Sequence, residues 1–170
     1  IGGIGTNVGS NNNSVSVGGG ASWSVAQQLH VGNSGNFNSL TVSGGASVTA
    51  LTVYAGEYGS DNTISVSGTG SNVTSTSSLS LGYSGGLRNR VEVLAGGSVN
   101  CVDLSIGDTG VNSRGDDNVV LVSGADTQLV ASGSAVLGNY TSRNGLVIDD
   151  RAFVQVGSLL VNGYNGSGPY

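Results

Sequence analysis

The feature that most constrains this chain is a segment that it repeats. Asn38 to Gly56 reads Asn-Ser-Leu-Thr-Val-Ser-Gly-Gly-Ala-Ser-Val-Thr-Ala-Leu-Thr-Val-Tyr-Ala-Gly. Its opening, Asn-x-aliphatic-x-aliphatic, returns at Asn13, Asn38, Asn62, Asn89, Asn118 and Asn144, at intervals of 25, 24, 27, 29 and 26 residues. The closing leg, aliphatic-x-aliphatic-Gly, returns as Leu29 to Gly32, Val53 to Gly56, Leu79 to Gly82, Leu104 to Gly107 and Ala135 to Gly138. In the sixth copy the leg is Leu159 and Val161, with Asn162 in place of glycine. Repeats of this length mark an array of stacked units, each burying its apolar face against its neighbours.

Within each copy the apolar residues come in pairs one residue apart, the period of a strand with one buried face, and the Gly, Ser and Asn between pairs are turn formers. Each copy therefore reads as three short strands and three turns. Aligned, the copies give five apolar columns. The first leg supplies Val15, Leu40, Ile64, Val91, Val120, Leu146 and Val17, Val42, Val66, Val93, Val122, Ile148. The second supplies Trp23, Val48, Val73, Val99, Leu129, Val154. The third supplies Leu29, Val53, Leu79, Leu104, Ala135, Leu159 and Val31, Ala55, Leu81, Ile106, Leu137, Val161. A helical reading fails because the spacing is 2 and glycines interrupt it, each costing a helix roughly 1 kcal/mol.

The expected fold is all-β, a right-handed parallel β-helix of about six three-strand rungs of 24–29 residues, neighbouring rungs about 4.8 Å apart. A single domain covers 1–170, with 1–12 as a partial rung and rungs beginning near 13, 38, 62, 89, 118 and 144. Second-to-third column spacings of 6, 6, 7, 6, 7, 6 and third-to-fourth spacings of 6, 5, 6, 5, 6, 5 suggest a sequence unit of two rungs. The asparagines that open each copy are expected to stack as a hydrogen-bonded ladder, Asn13, Asn38, Asn62, Asn89, Asn118 and Asn144. Asn also tolerates the left-handed backbone of a sharp corner, and its amide both donates and accepts.

Composition then excludes several classes of function. There are 31 glycines, one proline, no lysine and five arginines, with a net charge of -5. Phosphate binding needs clustered basic residues, so no nucleic-acid partner is expected. No run of 18 apolar residues exists, so no membrane span is expected. The chain begins at Ile1 without a basic, apolar leader, which suggests a processed product or an excised piece. Cys101 is alone and is expected to be a small structural side chain near a turn.

The alternation of Asn-Ser-Leu-Thr-Val-Ser-Gly-Gly-Ala-Ser-Val with Val-Ser-Gly-Thr-Gly-Ser-x-Val and Ser-Leu-Gly-Tyr-Ser-Gly resembles the β-helical repeats of bacterial autotransporter passenger and adhesin-like surface proteins, over about residues 1 to 165. The resemblance implies an extracellular or bacterial cell-surface location and roles in adhesion, aggregation or a fibrous coat.

Candidate sites are few. Asp149-Asp150-Arg151 is the one acidic group resembling a polysaccharide-cleaving centre, but the residues stacked beneath it, Ser123, Gly124 and Ala125, add no second acid. His30 lies five rungs away, about 24 Å. The chain is not expected to be an enzyme, and no cofactor is expected. The longest loop, Asp108 to Asp117, gathers Asp108, Asp116 and Asp117, a weak candidate set for calcium whose spacing matches neither the EF-hand nor the nonapeptide repeat. It also holds Arg114-Gly115-Asp116, an adhesion tripeptide by letter, on the kind of loop where binding tends to sit. Tyr83, Tyr140 and Tyr164 follow the third leg and suggest an exposed aromatic stripe, either a packing seam or a sugar-binding ridge, with turn residues covering backbone the plainer reading.

Two functions of different class follow. One is a non-catalytic structural protein whose partner is itself, extending a filament or stalk through end or edge contacts. The other is an adhesin arm that presents the 108–117 loop to a glycan or cell surface.

Overall fold

The computed structural model describes residues 2–107 and 115–161, and among these the regular structure is fifteen β-strands and no helix. The first legs are β2 (Ser14–Val17), β4 (Ser39–Ser43), β6 (Thr63–Ser67), β9 (Arg90–Leu94), β12 (Val119–Ser123) and β14 (Gly145–Asp149). They pair in that order, all parallel, as one six-stranded sheet. The remaining legs are β1 (Gly2–Ile4), β3 (Ser22–Val31), β5 (Ser47–Ala55), β7 (Asn72–Ser75), β8 (Ser78–Leu81), β10 (Ser98–Cys101), β11 (Asp103–Ile106), β13 (Gln128–Leu137) and β15 (Phe153–Val161). These form a single nine-stranded parallel sheet. The fold is a β-solenoid of about six turns.

The five columns read from the sequence are register partners. Leu40, for example, faces Val15 and Ile64, and Val53 faces Leu29 and Leu79. Most of their members are fully buried. A further inward column was not legible: Val25, Ala50, Ser75, Cys101 and Ala131 line the bend between second and third legs, all buried. Burial there pushes the Cys101 thiol up to about 12, so it stays protonated and unreactive.

The structure corrects the count of three separate strands per rung. In rungs 1, 2, 5 and 6 the second and third legs are one continuous strand that bends, whereas in rungs 3 and 4 they are separate strands. The alternating 6 and 5 spacing has its cause here. Rungs 1, 3 and 5 carry an extra residue, seen as register shifts at Val25/Gln28 and Ala131/Ser134 and, in rung 3, as the break between Ser75 and Ser78. At the first corner strict alternation fails. Rungs 3 and 5 take a longer form, with left-handed Gly68 and Gly70, or Gly124 and Asp126, on either side of a third residue. Rung 1 uses the short form, Gly19-Gly20, as does rung 2 with Gly44-Gly45.

The corner before each first leg is built around asparagine. The amide Oδ1 of Asn38, Asn62, Asn89, Asn118 and Asn144 accepts from both the backbone N–H and the Nδ2 of the asparagine one rung earlier, at 2.9–3.2 Å. Nδ2 of Asn38 and Asn62 also caps the carbonyl two residues before it, and that of Asn89 the carbonyl of Gly59. Asn38, Asn62, Asn89 and Asn118 are buried, whereas Asn13 is exposed and Asn144 half-buried. A buried amide left unmatched costs about 1–3 kcal/mol, so each asparagine fixes the height of the next.

One reason given for asparagine is corrected. The left-handed residue is the one before it: Asn12, Phe37, Asp61, Arg88, Asp117 and Arg143 have φ of 53–60°. That kink turns the following side chain inward, so the asparagine is there for its amide.

Glycine makes room for that amide. Gly56 has φ 68°, and a Cβ on it would lie 2.1 Å from Oδ1 of Asn89. A second glycine column, three residues before the asparagines, serves close approach of backbone: a Cβ on Gly59 would lie 2.0 Å from the carbonyl oxygen of Gly35. Gly20 shares the left-handed backbone, φ 74°, but has open space around it. Gly20→Ala should therefore cost only the left-handed strain, about 1 kcal/mol. Gly56→Ala should add displacement of a buried amide and cost about 3 kcal/mol or more. Urea unfolding midpoints of the two variants check the difference.

Candidate functional site

The loop candidates divide at the boundary of the described residues. Asp108 and Arg114 lie outside them. Gly115 and Asp116 lie inside, and both are parts of the amide corner. Their carbonyls accept from Asn118 Nδ2 at 2.8 and 3.2 Å, and the Asp116 carbonyl also accepts from Arg88 N–H at 3.1 Å. Asp116 Oδ1 accepts from Ser142 N–H and Oγ–H at 2.8 and 3.1 Å. The same job is done on other rungs by Asn11, Asn36 and Ser60, whose side chains each cap the backbone N–H one rung on.

Asp117 belongs to a column of alternating charge. Arg88 holds Asp61 through Nε and Nη2 at 2.8 and 2.7 Å, and Arg143 holds Asp117 the same way at 2.6 and 2.8 Å. The hydrogen bond from Arg143 keeps the Asp117 carboxyl below the usual carboxylate range. These pairs are well exposed to water, so they add little to stability. Asp116 hydrogen-bonds Ser142 and Asp117 hydrogen-bonds Arg143, whose Nη2 also lies 3.9 Å from Asp116 Oδ2. Among the described residues no three His, Cys, Asp or Glu side chains converge as metal ligands.

Asp149, Asp150 and Arg151 form the first corner of rung 6. Asp150 and Arg151 take the left-handed backbone that glycine pairs take in rungs 1 and 2, and Asp149 Oδ1 accepts from the Asp150 N–H. Arg151 approaches Asp150 only at 3.9 Å, with both side chains exposed. An open depression of about 260 Å³ beside it is lined by Asp126, Thr127, Gln128, Arg151 and Phe153.

The tyrosine stripe is rearranged. Tyr83 and Tyr140 are exposed, but Tyr83 meets Tyr54, edge to face at 5.6 Å, and Tyr164 lies outside the described residues. Tyr54 in turn stacks on His30 at 4.8 Å with 11° between ring planes. These two are register partners on β3 and β5, on the face opposite Leu29 and Val31.

His30 is therefore the centre of a cluster that sequence reading missed. Glu57 Oε2 lies 3.0 Å from His30 Nδ1 and accepts from Asn33 Nδ2 at 2.6 Å. His30 Nε2 lies 3.3 Å from Gln28 Oε1. The signal that could have found it is positional, since Asn33, Glu57 and Tyr83 each follow the glycine that closes the third leg. A His–carboxylate pair is the base half of a nucleophilic centre. Here, among the described residues, the far nitrogen faces the Gln28 amide in place of a hydroxyl or thiol.

Comparison of the chain with protein-family models, with curated proteins and with solved structures finds no match in any of the three.

Burial lowers the His30 pKa below its ordinary 6.5, with the Glu57 carboxylate acting in the opposite sense. The folded state therefore favours neutral imidazole. As pH falls through 6.5 the unfolded chain takes up this proton first, so stability present above 6.5 is progressively lost below it. His30→Gln should flatten this loss. Urea midpoints at pH 7.5 and 5.5 should differ more for the unmodified protein than for the variant.

Proposed function

We propose that this chain is a non-catalytic extracellular structural protein, a rigid β-solenoid that associates with itself to form or extend a bacterial cell-surface filament or stalk. The observation that carries this reading is how each rung joins the next. Parallel backbone pairing along the legs and a doubly accepting amide at the corner resist bending and sliding together. Such a rod suits a load-bearing or spacing role.

Self-association is favoured by the last described rung. Ile148, Phe153, Leu159, Leu160 and Val161 are each more than half exposed, and β14 and β15 each have a partner on one side only among the described strands. Strand edges that carry apolar side chains recruit further strands. The low charge offers little repulsion against it. The pairing of Arg88 and Arg143 with aspartates weighs against nucleic acid as the partner. The surface location rests on the resemblance of the repeats to autotransporter passengers.

A second reading, an adhesin arm binding a glycan or receptor through the 108–117 loop, is favoured by loop length. The connection from Gly107 to Asn118 spans 11 positions, against 6 or 7 between the corresponding residues elsewhere.

Sedimentation velocity across a concentration series, with electron microscopy of the same samples, tests the first reading. Species that grow with concentration and appear as rods or fibres are expected. A single monomeric species at every concentration would remove it.

A further inference from the structure

Outward positions on this solenoid are largely Ser, Thr and Asn, and the rungs stack well with them. In the column that holds His30 and Tyr54, the next two rungs carry Ser80 and Ser105. Closing the fold therefore does not require rings there. Yet rungs 1 to 3 place His30, Tyr54 and Tyr83 in a continuous stack, flanked by Asn33 and Glu57.

The inner members of this cluster are satisfied by one another, and the outer members are not. Glu57 Oε2 takes both bonds from Asn33 and His30. Its Oε1 and the hydroxyls of Tyr54 and Tyr83 have no protein partner among the described residues, and none of the three is buried without one. Tyr83 is 41% exposed and meets Tyr54 edge to face at 61°, and its turn stacks on that of Glu57, with Ser84 N–H donating to the Glu57 carbonyl at 2.7 Å. Burial first, and then the Glu57 carboxylate, raise the Tyr54 pKa, so its phenol keeps its proton and remains a donor.

We propose that this patch is a binding site for a neutral saccharide. The apolar C–H face of a pyranose ring lies on Tyr83, as apolar groups do on exposed aromatic faces. Its hydroxyls donate to Glu57 Oε1 and accept from the Tyr54 phenol. His30, stacked beneath Tyr54 and bonded to Glu57, positions both. The free carboxylate oxygen and the net charge of -5 disfavour uronic acids and phosphosugars. None of its residues belongs to the 108–117 loop or to β14 and β15, so the proposal rests on neither reading of the protein's function.

The test is a titration of the isotope-labelled protein with cellohexaose and maltohexaose, with hexagalacturonate as the anionic comparison, followed by amide chemical shifts. At least one neutral oligosaccharide is expected to bind at millimolar concentration or tighter, moving the amides of Tyr54, Glu57 and Tyr83 first. Tyr83→Ala should weaken it about tenfold or more, as should Glu57→Gln, with thermal unfolding verifying that each variant is folded. Tyr140→Ala, which removes another exposed tyrosine, should leave it unchanged. The proposal is overturned if neither neutral probe moves these amides, if binding survives Tyr83→Ala in full, or if hexagalacturonate binds as well as the neutral probes.

Discussion

A carboxamide shut inside a backbone corner has to find partners, and that requirement organises this molecule. Each buried asparagine offers its oxygen to two donors on the preceding rung and sends its own donors to the next. An offset of one residue between neighbouring rungs would break both bonds and turn the whole apolar set of a leg to solvent. Register is thus held twice, by the amide file at one corner and by the apolar columns within. Hydrophobic burial drives the coil, and the amides decide where each rung sits.

Other features follow from making that corner fit. The left-handed residue before each asparagine aims the amide inward, and at Phe37, Arg88 and Arg143 its own side chain is exposed. Glycine on the neighbouring rungs clears the amide and the carbonyls around it. Where glycine is missing, at Thr141, the hydroxyl joins the network, donating to the Gly107 carbonyl and accepting from Asn144 Nδ2 at 2.8 Å. The outward column of alternating Asp61, Arg88, Asp117 and Arg143 follows from this geometry, since stacked left-handed residues bring neighbouring charges within reach.

Much of this was legible in the sequence, because a strand's period of two survives in any rung and copies of nearly equal length align by eye. The apolar columns and the asparagine file needed nothing more. The sixth inward column stayed hidden because Ser75 and Cys101 interrupt the aliphatic pattern. The glycine three residues before four of the asparagines, at Gly35, Gly59, Gly86 and Gly115, was in plain view but has its reason in contacts between rungs. The His30 cluster was hardest to read. Its members come from turns and outward positions on three rungs, where residue identity varies freely, and only the register brings Glu57 to His30. In the Arg114-Gly115-Asp116 tripeptide, Gly115 and Asp116 have a role in the corner that their letters alone did not reveal.

Native-state hydrogen exchange of the asparagine backbone amides tests the central claim most directly. Each of these N–H groups donates to a side-chain oxygen one rung away, so its protection reports the amide file itself. Asn38, Asn62 and Asn89 should exchange as slowly as the central strand amides of Val66 and Val93, with the exposed Asn13 faster. Exchange of Asn62 and Asn89 at the rate of exposed turn amides would show that the file does not hold the rungs, and the account would fail with it.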